Sequence, residues 1–337
     1  RKNEWLSALC SDPYFCFLDI TLLDAQKKYK NKTLIVMIYV CITLMIGFVF
    51  SQNETNPYAV VLGTSQDGGI PHANCLKKCC KDKWEEPKKI KVSCLGIVDP
   101  ISKKSWIIDA TPDFPVQHHI ITKKHDSNLE GIFLTHAQIG HYTGLIHLGK
   151  EVMGEYALPI FVMPKMKIFL EKNGPWNQLV FLNNIYLIEI NNSKEIKLSD
   201  QLFIRPISVP NRNEYSETVG YQIMGPNKSL LFIPDIDKWE KWDQDIIMKI
   251  KHVDYALVDG TFFSKEELSD FDITEVHHPF IDDSMEKFSI LNTENRKKIY
   301  FIHLNHTNPA IYKSSSATNI IKSKRFNVAR EDDLFRL

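Results

Sequence analysis

The chain has 337 residues, 44% of them hydrophobic, with 41 basic and 41 acidic side chains. This length and apolar content are enough for one large domain or two smaller domains with a buried core. Because the formal net charge is +0, the composition offers no basic face for nucleic acid, and the expected partner is a small-molecule substrate.

The N-terminal region differs from the rest of the chain. Lysines within 27–32 precede an uninterrupted apolar stretch at 34–50. A basic segment followed by an apolar one is typical of a signal peptide or of a membrane anchor, and the sequence is compatible with both interpretations. The lysines would remain cytoplasmic, so the following domain is expected to be periplasmic or extracellular, or anchored facing outward, with membrane contact only through this segment. The predicted division is an N-terminal extension at 1–33, a signal peptide or anchor at 34–51 and a globular domain at 57–337.

From Pro57 onward, short apolar runs rich in β-branched and aromatic residues alternate with helical stretches. The early strands follow one another like hairpins, and helices alternate with strands later, which predicts a mixed α+β fold. Two sheets are expected inside and helices outside. The predicted helices cover 113–124, 142–153, 164–173, 240–251 and 283–293. The predicted strands are 58–64, 91–98, 105–110, 131–136, 159–163, 202–209, 218–225, 229–235, 254–260 and 299–305.

Polar side chains fall at or near the C-terminal ends of several predicted strands. One aspartate at such a place is more often a helix cap or a turn residue. Several aspartates together with two histidines favour a site, because folds that combine strands and helices gather their sites at strand ends. The residues concerned are Asp109, His136, Asp235, Asp259 and His303.

The loop 135-THAQIGHYTGL-145 resembles the metal loop H-x-H-x-D-H of the metallo-β-lactamase superfamily. The resemblance covers about residues 58–312 and implies a four-layer αββα sandwich. The stretches 62-LGTSQDGGIPHANC-75, 259-DGTF-262 and 301-FIHLNHTNP-309 are most similar to the pyrroloquinoline-quinone biosynthesis B proteins and their relatives, within the branch of tRNase Z and the phosphonate-pathway phosphodiesterases. A shared fold does not by itself imply a shared activity.

The resemblance implies positions for two metals, and this sequence departs from both. One metal of the family uses the first two loop histidines and a middle histidine, which correspond here to His136, Gln138 and Asn211. Amide oxygens are weak zinc ligands compared with imidazole. This position is therefore expected to be empty or weak.

The second metal position keeps more of its ligands. The resemblance assigns it the loop aspartate, His141, Asp235 and His303, and only the loop aspartate is missing, because Gly140 stands there. Two histidines and a carboxylate with open positions suit a mononuclear site for Zn²⁺ in a hydrolase, or for Fe²⁺ in an oxygenase.

Catalytic roles are predicted for three of these strand-end residues. His136 is expected to be a further ligand or a general acid or base. Asp235 is expected to bind the metal at the reacting centre. Asp259 is expected to orient the water or a ligand histidine.

Two further groups are candidates. The resemblance implies structural zinc at Cys75, Cys79 and Cys80, with His72 or Cys94 as the fourth ligand. A disulfide after export, or free thiols, is the alternative. A substrate pocket is expected to include the side chains of Gln138, Asn211, His277 and His278, although at most one of the two adjacent histidines would face it.

The function predicted from the sequence is metal-dependent hydrolysis of an ester, a phosphodiester or a lactone at a depleted, mononuclear site. Two alternatives stay open. One is an iron-dependent oxygenase-like enzyme, which the resemblance to the quinone biosynthesis proteins implies. The other is a binding module that binds a ligand in the substrate pocket of the fold without catalysis.

Overall fold

The computed structural model describes residues 37–43, 56–86, 89–212, 214–268 and 276–337. The chain divides into two compact units, Arg1–Thr55 and Asn56–Leu337. In the first unit residues 37–43 are helical. The remainder of the predicted signal or anchor at 34–51, and the extension at 1–33, lie outside the described residues. Within the described residues, no helix has the length and apolar character needed to span a membrane.

The unit Asn56–Leu337 is built on two seven-stranded sheets. The first has the strand order β14-β1-β2-β3-β4-β5-β6, and the second has the order β13-β12-β11-β10-β9-β8-β7. Both sheets are mixed, with parallel pairing from β3 to β6 and from β10 to β13. The strands are β1 (Tyr58–Gly63), β2 (Cys94–Asp99), β3 (Lys104–Ile108), β4 (Asn128–Phe133), β5 (Leu158–Val162), β6 (Ile185–Glu189), β7 (Ile196–Lys197), β8 (Phe203–Ser208), β9 (Val219–Met224), β10 (Ser229–Ile233), β11 (Tyr255–Asp259), β12 (Ile299–Ile302), β13 (Asn327–Val328) and β14 (Leu334–Arg336).

The central strands are apolar on both faces because each sheet is covered on both sides. In β10, Leu230 and Phe232 pack into the core that also holds Phe133, while Leu231 and Ile233 pack into a different core. This alternation follows from the period of two along a strand. Three buried apolar clusters result, which is what four layers require, and the predicted αββα sandwich is confirmed.

The helices predicted at 113–124, 164–173, 240–251 and 283–293 are found, the third only over Ile246–Lys251, whereas Trp176–Phe181 and Ser316–Ser323 were not predicted. The helix predicted at 142–153 is wrong: a single α-helical turn, Ile139–Tyr142, is followed by the 3₁₀ segment Thr143–Leu148. A Cβ atom at Gly144 would lie 2.1 Å from the carbonyl oxygen of Thr111, so this segment packs directly against backbone at Gly144. The other helices are Lys78–Lys81, Phe114–His119 with a π-helical continuation Ile120–Lys124, Pro164–Lys172, Trp176–Phe181, Ile246–Lys251, Ile281–Lys287, Thr293–Arg296 and Ser316–Ser323.

The topology places the candidate site at one edge of the two sheets. Parallel strands end on the same side, so the residues that follow β3, β4, β10, β11 and β12 come together. Two residues at these ends, Asp109 and His303, have φ values of 72° and 65°. A non-glycine residue in this left-handed region costs about 1–3 kcal/mol and is often found at a functional site.

Candidate metal centre

Four of the predicted ligands are brought together in the interior. His136 follows β4, His141 lies in the helical turn Ile139–Tyr142, Asp235 follows β10 and His303 follows β12. All four side chains are buried. Nε2 of His136 is 3.1 Å from Oδ2 of Asp235, and Nε2 of His141 is 3.2 Å from Nε2 of His303.

The hydrogen bonds around His303 determine which ring nitrogen carries its proton. Asp259 accepts hydrogen bonds from the backbone N–H and the hydroxyl of Thr261, at 2.9 and 2.8 Å. The single hydroxyl proton of Thr261 is therefore used on Asp259. The Thr261 oxygen accepts from Nδ1 of His303 at 3.0 Å, and this leaves a lone pair on Nε2, the nitrogen that faces the centre.

The same logic applies on the first sheet. The hydroxyl of Thr135 lies 2.9 Å from each carboxylate oxygen of Asp109 and donates its proton there. Its oxygen then accepts from Nδ1 of His136 at 2.9 Å, while Nδ1 of His141 donates to Asp109 at 2.7 Å. Nε2 of His136 is left as an acceptor that faces a carboxylate, which also only accepts.

The residues of the centre have pKa values that are shifted in different directions. Burial disfavours a charged His141 ring, but the Asp109 carboxylate outweighs burial and raises the pKa of His141 to about 9. Burial, to which the facing His141 adds, holds the pKa of His303 well below its usual value. Burial also opposes a charged Asp235, yet His278 and His136 hold the pKa of this carboxyl well below its usual value. At neutral pH and without a metal, the centre therefore combines a protonated His141 with a neutral His303 and an ionised Asp235.

This donor set fits a metal ion. Both oxygens of Asp235 and Nε2 of His136 are buried. Among the described residues they lie at ion-pair distance from neighbours, 3.1 Å between His136 and Asp235 and 3.4 Å between His278 and Asp235, but form no hydrogen bond of good geometry. A tetrahedral ion about 2.0–2.1 Å from each nitrogen separates two ligand nitrogens by about 3.3 Å, close to the 3.2 Å between His141 and His303. His136, His141 and Asp235 also present ligand atoms within 4.8 Å of one another.

The side chains of Gln138 and Asn211 contribute less to the metal centre than the histidines do. Gln138 is half-buried and precedes the helical turn, where its backbone carbonyl accepts from the N–H of His141 at 2.9 Å. The side-chain oxygen of Asn211 accepts from the backbone N–H of Arg212 at 2.8 Å, while its Nδ2 is buried and has no partner within the described part of the chain. Asn211 therefore presents an N–H donor rather than a ligand atom.

The adjacent histidines separate as expected for an extended segment. His278 is buried, and its Nδ1 donates to Asp259 at 2.8 Å and lies 3.4 Å from Asp235. Burial lowers the pKa of His278, but Asp259 and Asp235 outweigh it and raise this pKa to about 9. His277 is 36% exposed and lies 3.6 Å from Asp237 instead. Only His278 joins the centre.

The cysteine cluster includes a histidine that the sequence did not predict. Sγ of Cys79 is 3.7 Å from Sγ of Cys75, and both Cys79 and Cys80 lie 3.5–3.6 Å from Nδ1 of His306. An ion at about 2.3 Å from sulfur and 2.0–2.1 Å from nitrogen gives tetrahedral edges of about 3.8 and 3.6 Å. Burial lowers the pKa of His306 to about 4, so its ring is a neutral donor.

Neither predicted fourth ligand occupies that position. The ring of His72 stacks on His306, with centroids 4.4 Å apart, and does not belong to the four-residue cluster. The Cys94 thiol is buried beside the carbonyl oxygen of Asp109, 3.5 Å away. His306 comes from the segment after β12, more than 200 residues along the chain, so spacing within the cysteine turn could not identify it.

A cavity of about 730 Å³ lies beside the cysteine cluster. Its described lining includes His72, Cys75, Phe262, Glu267 and His306, and none of the four residues predicted for the substrate pocket. The ring of Phe262 packs edge-on against His278, with centroids 6.0 Å apart, which links this cavity to the centre.

Comparison with known proteins agrees with this architecture. The family description "Beta-lactamase superfamily domain" matches residues 105–304. Coenzyme PQQ synthesis protein B of Acinetobacter baylyi is 23% identical over 309 residues, which cover 82% of this chain and 99% of that protein.

Two solved structures share the fold. One is Zn²⁺-bound PqqB from Methylobacterium extorquens, with a TM-score of 0.70, 19% identity and coverage of 83% of this chain and 100% of that chain. The other is a diphosphatase of the PhnP family, with a TM-score of 0.60, 17% identity and coverage of 84% and 97%. At these identities the structures show the fold alone.

Proposed function

The chain belongs to the beta-lactamase superfamily, and from this premise we propose that it is a metal-dependent hydrolase with one working metal position. His136, His141, Asp235 and His303 are the proposed ligands. The substrate class is an ester, a phosphodiester or a lactone, whose hydrolysis needs an activated water and a polarised acceptor group.

The observation that carries this proposal is the pair of facing nitrogens in His141 and His303. Their Nε2 atoms are 3.2 Å apart, and the Nδ1 atom of each ring is held by another side chain. Two lone pairs at this distance repel unless a proton or a cation lies between them. With the oxygens of Asp235 nearby, which form no hydrogen bond of good geometry with the described residues, a divalent cation satisfies all three groups.

A bound divalent metal supplies Lewis acidity and lowers the pKa of a coordinated water. The chain's own residues supply orientation. Asp109 and Thr135 hold the two loop histidines, and Thr261 holds His303, so the three rings face the centre without reorganisation. Such fixed outer contacts preserve the tautomer that can bind metal.

His278 is proposed to serve the leaving group. Asp259 and Thr261 fix its Nδ1, and its ring lies at the border between the centre and the cavity through Phe262. A histidine held by a carboxylate in this way can donate a proton to a departing oxygen. Asp259 then acts as a positioning residue for His278.

The test combines metal analysis with hydrolysis of bis(p-nitrophenyl) phosphate and p-nitrophenyl acetate by residues 52–337. Zinc or manganese should support turnover. His141→Ala and His303→Ala should each lose the metal of this centre and reduce the rate by at least about 100-fold, because each removes a ligand. His252→Ala, which changes an exposed histidine bonded to its own helix, should match the unchanged protein.

Metal content that stays equal in all three histidine variants would refute the centre. A different result would refute the hydrolase: the two ligand variants lose metal, but the metal-loaded unchanged protein hydrolyses neither substrate. The protein would then be a metal-binding module.

The similarity to coenzyme PQQ synthesis protein B favours a second candidate function, an iron-dependent oxidation. Two histidines and a carboxylate with open positions also suit Fe²⁺. Oxygen uptake by the Fe²⁺-loaded protein, in the presence of an oxidisable substrate and absent from His303→Ala, would support this candidate over hydrolysis.

We also propose a structural zinc ion at Cys75, Cys79, Cys80 and His306. Burial, followed by the neighbouring thiols, raises the pKa of Cys79 to about 12. Three close thiolates are therefore unfavourable without a cation, and a bound Zn²⁺ removes that penalty by deprotonating its ligands.

A further inference from the structure

We propose that Asp67, in the turn after β1, is a carboxylate ligand of the metal centre and replaces the side chain that is missing at Gly140. This inference rests on the proposed metal centre and adds to it a ligand from a separate part of the chain.

The first support is steric. A Cβ atom built on Gly140 would lie 2.2 Å from Oδ1 of Asp67, 2.5 Å from its Cα and 3.0 Å from its Cβ. No side chain fits there, because part of the obstacle is backbone. The Asp67 carboxylate thus occupies the space in which the side chain at position 140 would begin.

The second support is the way in which the turn is held. Ser65 forms β-bridges to Val92 and to Leu304, the residue after His303. The backbone N–H of Gln66 donates to the carbonyl oxygen of Leu304 at 2.9 Å, and the N–H of Leu304 donates to that of Thr64 at 2.8 Å. The turn that carries Asp67 is therefore fixed to the same backbone segment that presents His303.

The third support is the ligand atom itself. Oδ1 of Asp67 is buried without a hydrogen-bond partner among the described residues and lies 3.6 Å from Nε2 of His141. Asp67, His141 and His303 present ligand atoms within 4.8 Å of one another. A carboxylate oxygen only accepts, so an oxygen and two imidazole nitrogens that converge in this way form a cation site.

The inferred ligand set is then the proposed one, His136, His141, Asp235 and His303, with Asp67 added to it. Asp67 supplies a second carboxylate without an aspartate in the loop. The glycine at position 140 does not mean that a ligand is missing, because the absence of a side chain there leaves room for the Asp67 carboxylate. An aspartate introduced at position 140 should consequently damage the site rather than repair it.

The test uses Mn²⁺ as the probe, because Mn²⁺ prefers carboxylate and imidazole ligands to thiolates. The protein is stripped with a chelator, given one equivalent of Zn²⁺ for the cysteine cluster and titrated with Mn²⁺, whose free ion is followed by electron paramagnetic resonance. Asp67→Asn should weaken Mn²⁺ binding at least about tenfold. Asp126→Asn, at an exposed aspartate that also has positive φ, should bind as the unchanged protein does.

A second variant gives a positive readout. Asp67→Cys should lose Mn²⁺ affinity and, when loaded with Co²⁺, gain a sulfur-to-cobalt charge-transfer absorption beyond that of the cysteine cluster, because a thiolate is a softer ligand. A merely structural Asp67 would not produce this band. Gly140→Asp should weaken Mn²⁺ binding by at least about tenfold, as Asp67→Asn does.

The outcomes separate the two proposals. Mn²⁺ binding by Asp67→Asn within twofold of the unchanged protein, together with its loss in His141→Ala, would overturn the role of Asp67 and keep the metal centre. Undiminished binding by His141→Ala would overturn the metal centre itself. Thermal unfolding of each metal-free variant shows whether a loss of binding reflects a loss of fold.

Discussion

At the scale of single residues, the orientation of each histidine is decided by a neighbour that never faces the centre. Asp109 accepts from the backbone and the hydroxyl of Thr135 as well as from His141. Thr135 in turn accepts from His136. One buried carboxylate thus fixes the tautomers of both loop histidines, and its effect on metal binding is indirect.

Replacement of Asp109 should therefore weaken metal binding, although its carboxylate does not face the centre. Asp109→Asn can turn an N–H toward Nδ1 of His141, which moves the ring proton to Nε2 and blocks the lone pair. We expect Mn²⁺ affinity to fall about 10–100-fold, measured by the same titration. Asp99→Asn is the matched control, since Asp99 is also buried but its carboxylate accepts, from the residues that the structure describes, just the N–H groups of Ile101 and Ser102. An equal loss in both variants would contradict this role.

At the scale of elements, the metal loop is tied to the opposite sheet. The hydroxyl of Tyr221 in β9 donates to the carbonyl oxygen of Leu134 at 2.6 Å, and the N–H of Val219 donates to that of Thr135 at 3.0 Å. The Tyr221 ring packs edge-on against Phe133, with centroids 5.6 Å apart. The end of β4 is therefore held at the level where His136 must meet Asp235.

The hydroxyl of Tyr221 should contribute to stability beyond the packing of its ring. Tyr221→Phe keeps the ring but removes the donor to a buried carbonyl, which costs about 1–3 kcal/mol. Urea unfolding of the metal-free protein measures this change. Tyr186→Phe, at a tyrosine that is 62% exposed, should change the free energy of unfolding by less than about 0.5 kcal/mol. Equal values for the two variants would mean that the buried hydrogen bond adds nothing.

At the scale of the whole molecule, both candidate metal sites join distant parts of the chain. His141 follows a strand of the first sheet and Asp235 follows a strand of the second, and the cysteine turn near residue 80 meets His306. An ion bound only by the folded arrangement stabilises it, by about 4 kcal/mol when its concentration is a thousand times the Kd. The two sheets should accordingly lose stability together when metal is removed.

Variants at the cysteine cluster test whether His306, rather than the sequence-predicted His72, is the fourth zinc ligand. His306→Ala should reduce bound zinc by about one ion per chain and lower the melting temperature, whereas His72→Ala should retain the zinc, because His72 only stacks on the ligand ring. Chelator should lower the melting temperature of the unchanged protein and have a smaller effect on His306→Ala. Zinc lost from His72→Ala but kept by His306→Ala would restore the sequence-based assignment.

The sequence by itself determined the layers and most of the participants. Runs of β-branched and aromatic residues predicted the strands, and the polar residues at their ends indicated His136, Asp235 and His303. The resemblance of short motifs to the metallo-β-lactamase superfamily implied His141 and the cysteines. These signals are local, because they depend on periodicity and spacing along the chain. For the same reason the sequence predicted a regular helix at 142–153, where the structure has the 3₁₀ segment Thr143–Leu148.

Only the tertiary structure decided which groups from distant segments meet. The role of Asp67 depends on β-bridges that fix the turn after β1 to Leu304, and the role of His306 depends on the return of the chain after β12. The tautomers of His136 and His303 depend on hydroxyl protons already used by buried carboxylates. Gly140, which looks like a defect in the metal loop, is explained by the space that Asp67 fills. Contacts between segments far apart along the chain leave no periodic trace in the sequence, so the composition of the centre becomes visible only when the two sheets are packed together.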